Sequence, residues 1–290
     1  MLAVYKRELK AYLHNVYGWL FMAVLLAAMG VLIYLFNLQN GIPDIEYALV
    51  FGQYALLLLV PILCMRSMAE DKRNKTDMFY RSLPLRSSAV VLGKYFALLT
   101  ILALPCLLLC LYPLIFLFFG TVKLVASYLS ILCFFLLGAA LIAICLFMSS
   151  LTENLVVAAV LGEGALIGMV VLPILSALLP ATPMASFICL VILGLLLALV
   201  AFLVTHNLNV TAITGAALVI PTSVLYMIPA TREGFGGLIY KVLSYASPFL
   251  HFSELLEYNI ISIPSLILLV SYSVFFVFLT VRSFDKGRWS

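Results

Sequence analysis

What this 290-residue sequence has least of is charge: only 10% of its residues are Asp, Glu, Lys or Arg, against about 25% in an ordinary soluble domain. Apolar residues make up 66% of it, and the mean hydropathy is +1.23. That is more apolar surface than one soluble domain of this size can hide, so a soluble globular protein is excluded. Intrinsic disorder, collagen-like chains and disulfide scaffolds are excluded on the same composition. The solvent for most of the chain is lipid. Chemical apparatus is scarce as well. There is no G-x-x-x-x-G-K-[ST] phosphate loop, because Gly93-Lys94 lacks the leading glycine and the following hydroxyl. H-E-x-x-H, G-x-S-x-G and C-x-x-C are absent, and the three histidines are far apart, so neither a metal site nor a nucleophile–base pair has a sequence basis. All six cysteines (Cys64, Cys106, Cys110, Cys133, Cys145 and Cys189) fall inside apolar runs. They read as small packing residues rather than disulfide partners.

What is present is a series of long apolar blocks. A helix needs about 20 residues to cross a hydrocarbon core of about 30 Å. Eight blocks of that length occur, at 17–36, 47–65, 95–119, 125–148, 155–179, 184–205, 210–229 and 263–281. Their apolar character is continuous, where barrel strands would alternate, so the expected fold is an all-α polytopic membrane protein. The first block is too long for a signal-peptide core and lacks a small-x-small cleavage site after it.

Eight spans bring both termini to one side. Of the sixteen Lys and Arg, all but Lys123, Arg232 and Lys241 then share the side of the termini. By the positive-inside rule that side is the cytoplasm. The net charge of +4 is therefore topological, and it calls for no nucleic-acid partner; contact with anionic lipid is its natural by-product.

Three stretches depart from the apolar pattern. Residues 1–16 read as an amphipathic interfacial helix, with Val4, Leu9, Leu13 and Val16 apolar and Lys6, Arg7, Glu8 and Lys10 charged. Residues 66–94 form a cytoplasmic connection in which basic residues outnumber Glu70, Asp71 and Asp77. The stretch from Glu70 to Arg81 has room for about three helical turns, with Met78, Phe79 and Leu83 near one side and Pro84 closing it. It reads either as a solvated loop that fixes topology or as a helix docked in a partner's groove. Residues 230–262 are external and amphipathic, either an interfacial anchor for the last span or a lid over the pathway. Within the spans one ionisable group stands out: Glu163, in a run where Gly164 and Gly168 form a small-residue face. It is either a neutral carboxyl bonded to a neighbouring helix or a group of a translocation pathway. His206 reads as a polar turn residue.

Several of these segments resemble one family. Arg66-Ser67-Met68-Ala69-Glu70-Asp71-Lys72-Arg73-Asn74-Lys75-Thr76-Asp77, with Leu83-Pro84 and Leu92-Gly93-Lys94 after it, resembles the first cytoplasmic loop of ABC-2-type exporter permeases. The likeness is nearest to the gliding-motility-type branch, where glycine is usual at the position of Lys75. Lys6-Arg7-Glu8-Leu9-Lys10-Ala11-Tyr12-Leu13 and Tyr17-Gly18 resemble that branch too, without its Ser-Pro before Tyr-Gly. Ser247-Pro248-Phe249-Leu250-His251-Phe252, then Phe278 through Phe284 and Arg288-Trp289, resemble its closing signature, although the acid usual before the last span is missing.

The resemblance implies a transmembrane subunit without its own ATPase. It implies a coupling loop that docks on a separate ABC ATPase, which binds ATP and Mg, and a second permease copy or a homologous permease across the substrate route. The partner-facing set is then Glu70, Asp71, Lys72, Arg73, Thr76, Asp77, Met78, Phe79 and Arg81. In it, Met78 and Phe79 are buried anchors, while Glu70 and Asp71 pair with the partner or cap the coupling helix. The family core has six spans, so residues 184–229 read as an inserted hairpin. The implied location is a bacterial plasma or inner membrane, and the apolar spans favour an amphipathic cargo. The alternative is a secondary transporter or channel-like protein with Glu163 as its coupling acid.

Overall fold

The computed structural model describes residues 1–76, 86–118, 122–178, 247–257 and 263–286, with a few isolated positions between 182 and 245. Every regular element among the described residues is helical. In chain order these are α1 (Leu2–His14), α2 (Val16–Ile33, prolonged by a π-helical turn, Tyr34–Leu38), α3 (Glu46–Arg73) and α4 (Ser87–Leu109). The short α5 (Tyr112–Phe116), α6 (Leu124–Ser150), α7 (Leu155–Leu178), α8 (Pro248–Glu257) and α9 (Ile263–Lys286) follow.

Six described stretches are long and apolar enough to cross a membrane: Val16–Leu38, Glu46–Arg73, Ser87–Phe116, Leu124–Ser150, Leu155–Leu175 and Ile263–Asp285. They correspond to six of the eight expected spans. The other two, 184–205 and 210–229, lie outside the described residues apart from isolated positions, and His206 lies outside them as well.

The chain divides into two compact units, Met1–Gly168 with Pro248–Ser290, and Met169–Ser247. Of the second, the structure describes the last turns of α7 and isolated positions. The first is built around α6, on which α3, α4, α8 and α9 all pack. Gly138, Ala139, Ala140 and Ala143 lie on its buried surface. Small side chains suit that place, because helices in lipid are held by close packing rather than by burial from water. At the periphery, α2 turns one stripe inward, Phe21, Met22, Leu25, Met29 and Ile33, at helical spacing. Trp19, Leu20, Val24 and Val31 on its other side are exposed, as lipid-facing residues are. The π-helical turn after α2 is held by Asn37, whose Nδ2 donates to Ile42 O at 3.0 Å and Asp44 O at 2.7 Å.

Hydrogen bonds fix which helix ends meet. Lys72 near the end of α3 donates to the Ser150 carbonyl at the end of α6. The Ser150 hydroxyl lies 3.0 Å from that of Ser283 near the end of α9. Ser149 Oγ accepts from Ala69 N at 3.2 Å. The end of the unit carrying these contacts also carries α1 and the start of α4. It is the basic end, since among the described residues only Lys123, beside the start of α6, is a cation of the opposite end.

Three expectations are corrected here. The connection read as 66–94 is shorter, because α3 continues unbroken through Arg73 and α4 begins at Ser87. Charged residues mark helix ends in a hydropathy reading, but Arg66, Glu70, Asp71 and Lys94 are paired and belong to the helices. A separate helix starting at Glu70 is therefore not formed, as Glu70 to Arg73 are the last turn of α3. Second, the inward face of α1 is Val4, Glu8 and Tyr12, while Val16 is exposed and lies in α2. Third, Phe249, Phe252 and Leu256 of α8 are buried. They pack on protein, with the Phe252 ring 6.0 Å from that of Phe134 in α6.

Candidate functional site

A buried charge cluster joins three helices at the basic end. Lys94, two turns into α4, is 2% exposed. Its ammonium lies 2.6 Å from Asp71 Oδ2 of α3 and 3.4 Å from Glu8 Oε1 of α1, and it donates to the Ser67 carbonyl. Arg7 approaches the same two carboxylates, 3.9 Å from Asp71 Oδ1 and 4.0 Å from Glu8 Oε1. Thr76 Oγ1 donates to Asp71 Oδ1 at 2.8 Å. Two cations and two carboxylates balance, which is the condition for keeping an ammonium out of water without a large desolvation penalty.

The local sequence makes this geometry possible. A Cβ on Gly93 would lie 3.0 Å from Val4 Cβ and 3.2 Å from Met1 O. Glycine there lets α1 lie directly on α4 and brings Glu8 to Lys94. A Cβ on Gly18 would lie 2.5 Å from Tyr12 O, so the sharp passage from α1 into α2 also requires glycine. Tyr5 OH and Thr100 Oγ1, 3.0 Å apart, tie α1 to α4 a second time. Tyr12 OH donates to Leu63 O of α3 at 3.4 Å. Burial pushes the Tyr12 phenol well above its ordinary range, with Cys64 and Glu8 adding to the effect, so it remains a neutral donor. Beside the cluster opens a cleft of about 210 Å³ lined by residues that include Arg7, Glu8, Tyr12, Arg66, Asp71 and Lys94.

The residues expected to face a partner divide into three groups. Glu70 is held within its own helix by a bidentate pair with Arg66, both contacts 2.8 Å, and the Arg66 guanidinium lies 4.3 Å from the centre of the Tyr17 ring. Asp71, Lys72 and Thr76 are engaged between or within elements as described, while Arg73 is exposed. Asp77, Met78, Phe79 and Arg81 lie outside the described residues. Glu70 and Asp71 both sit in the last turn of α3, and among the described residues neither caps a helix N-terminus.

Sequence reasoning missed Lys94 and Glu8. The available signal was a lysine enclosed by Leu92, Gly93, Tyr95 and Phe96, together with an acid spaced by four from Val4 and from Tyr12 on one helix face.

Glu163 stands apart from this cluster, in α7. Its Oε1 is buried and has no hydrogen-bond partner among the described residues. The glycine that permits close packing is Gly162, where a Cβ would lie 3.4 Å from Pro61 and 3.5 Å from Cys145 Sγ. Among the described residues, a Cβ on Gly164 or Gly168 would meet nothing within 4 Å.

Apolar spans around a small-residue core, closed at one end by ion-paired helix termini, define a class: this is a multi-pass α-helical membrane protein. The chain belongs to the ABC-2 family, as the model described as ABC-2 family transporter protein matches residues 6–230. The match begins within α1, runs past α7 and stops before α8. Among curated proteins and solved structures none matches the chain.

Proposed function

We propose that this chain is the permease subunit of an ATP-driven exporter of the gliding-motility-type branch, seated in a bacterial plasma membrane with both termini in the cytoplasm. A separate ABC ATPase binds ATP and Mg and hydrolyses the nucleotide; the permease itself is not an enzyme. Two permease copies enclose the route of an amphipathic cargo, and the segment 230–262 serves as its outer lid. The observation that carries the reading is the family match over residues 6–230. The basic end supports it, since α1, α3 and α4 converge where the segment 77–85 leaves α3 and where an ATPase would dock. In that segment Met78 and Phe79 are the apolar anchors for the partner's groove.

The test is purification of the tagged chain from its native membrane. A P-loop ATPase is expected to co-purify, with ATP turnover that responds to the permease. Replacing Met78 and Phe79 together by Asp places two carboxylates in an apolar groove, which costs several kcal/mol. That variant is expected to insert normally and to lose the ATPase. A wild-type chain without an ATPase, or a double variant with full stimulated turnover, overturns the reading.

A second reading is favoured by one observation, the buried Glu163 Oε1 without a described partner. A carboxyl at membrane depth is a natural proton carrier, and the chain would then be a secondary transporter. Transport in liposomes driven by a pH gradient without ATP, and lost in Glu163→Gln, distinguishes it.

A further inference from the structure

We propose that Lys94 is the positioning residue of the coupling end, fastening α1, α3 and α4 so that they move as one body; the proposal rests on the permease reading above. Three observations carry it. First, one ammonium is shared by carboxylates from two other helices, Asp71 at 2.6 Å and Glu8 at 3.4 Å. Drawing α4 away takes the ammonium from both carboxylates, and drawing α1 or α3 away takes one of its two counterions, a loss more costly for a buried charge than for a surface pair. Each of the three helices therefore gains from the presence of the other two.

Second, Asp71 holds Lys94 with one oxygen and accepts from Thr76 with the other. Thr76 follows the end of α3 by three residues, so Asp71 links the chain leaving α3 to Lys94. Third, the fastening continues into the rest of the unit. Lys72, next to Asp71, donates to the Ser150 carbonyl of α6, and Ser150 bonds Ser283 of α9 at 3.0 Å. Motion started beyond Thr76 is thus delivered to the central helix and to the last span. The Arg66–Glu70 pair, by contrast, joins residues of α3.

The experiment uses the permease with its ATPase, reconstituted in liposomes. In the neutral variant Glu8→Gln/Asp71→Asn/Lys94→Met the charges are removed together, a change that buried ion clusters often tolerate in stability. Its ATPase binding and ATP turnover are measured beside transport, and transport is expressed per ATP hydrolysed. Transport per ATP is expected to fall about tenfold, the scale of a typical coupling free energy. Lys94→Arg, which keeps the charge, should retain most of the coupling.

A second readout separates positioning from mere structural support. Spin labels on cysteines replacing the exposed Lys10 of α1 and Asn74 after α3 should keep one separation through the ATP cycle in the wild type. In the neutral variant the separation should change on adding nucleotide while the nucleotide-free distance stays the same. If the triple variant does not survive purification, Glu8→Gln alone carries the test, with a partial loss of transport per ATP expected and wild-type coupling counting against the proposal. Wild-type coupling, or a label separation unaffected by nucleotide, in a neutral variant that binds the ATPase overturns the positioning role only. Failure of the wild type to recruit an ATPase overturns the permease reading and the role built on it.

Discussion

At the scale of single residues, Lys75 and Lys94 show how the same side chain is used in opposite ways. Lys75 is exposed and has a φ of +57°, the left-handed conformation that commonly follows a helix C-cap. There the Asn74 N–H bonds Glu70 O at 2.9 Å and the Lys75 N–H bonds Lys72 O at 3.1 Å, closing α3. A Cβ strains that conformation and glycine does not, which is the physical reason for glycine at this position in the branch that the loop resembles. Lys75→Gly is therefore expected to stabilise the protein by about 1 kcal/mol, read as a rise in the unfolding midpoint of the purified protein in detergent. Lys75→Ala, which keeps a Cβ, should give no such rise, and a lower midpoint for the glycine variant would count against a left-handed cap. Lys94 is buried and its role is set by partners that are distant in sequence, Glu8 and Asp71. Its residue type was visible; its pairing was not.

At the scale of elements, α1 and α8 are both amphipathic in sequence, and both differ in structure from simple interfacial helices. The face of α1 that turns inward includes a carboxylate, because Lys94 waits beneath it, so apolar periodicity alone points to the wrong stripe. In α8 the aromatic residues that suit a headgroup layer are used against α6, with Phe252 fully buried. Phe252→Ala discriminates packed cap from anchor. A packed cap loses ring contacts and leaves a cavity, so the variant should cost about 3 kcal/mol of stability. A helix lying in the headgroup region would lose membrane affinity with the fold of the bundle little changed. Reversible unfolding in mixed micelles measures the first, and an unchanged unfolding free energy would reject the packed cap.

At the scale of the whole molecule, the described spans gather their cations at one end, and the function proposed above puts that end in the cytoplasm. Accessibility tests the assignment. On a cysteine-free background, Lys75→Cys should react with an impermeant thiol reagent only after the membrane is opened. Gln39→Cys, exposed in the turn after α2, should react from outside intact cells. Glu46, although it belongs to the same end as Gln39, is 7% exposed and would label poorly from either side. The reverse labelling pattern would invert the molecule in the membrane.

Hydropathy by itself determined that the chain is an all-helical membrane protein and located the six described spans. It could do so because each span's length answers to the bilayer, whose thickness is fixed independently of how the helices pack. Motif likeness in the segment from Arg66 to Asp77 and at the N-terminus also pointed to the family that the match over residues 6–230 shows. Only the tertiary structure decided where α3 ends, which face of α1 is buried and what Asp71 does. A paired charge and a solvated charge are the same letters in a sequence. Whether a lysine ends a span or lies two turns inside one depends on a carboxylate brought to it from another helix.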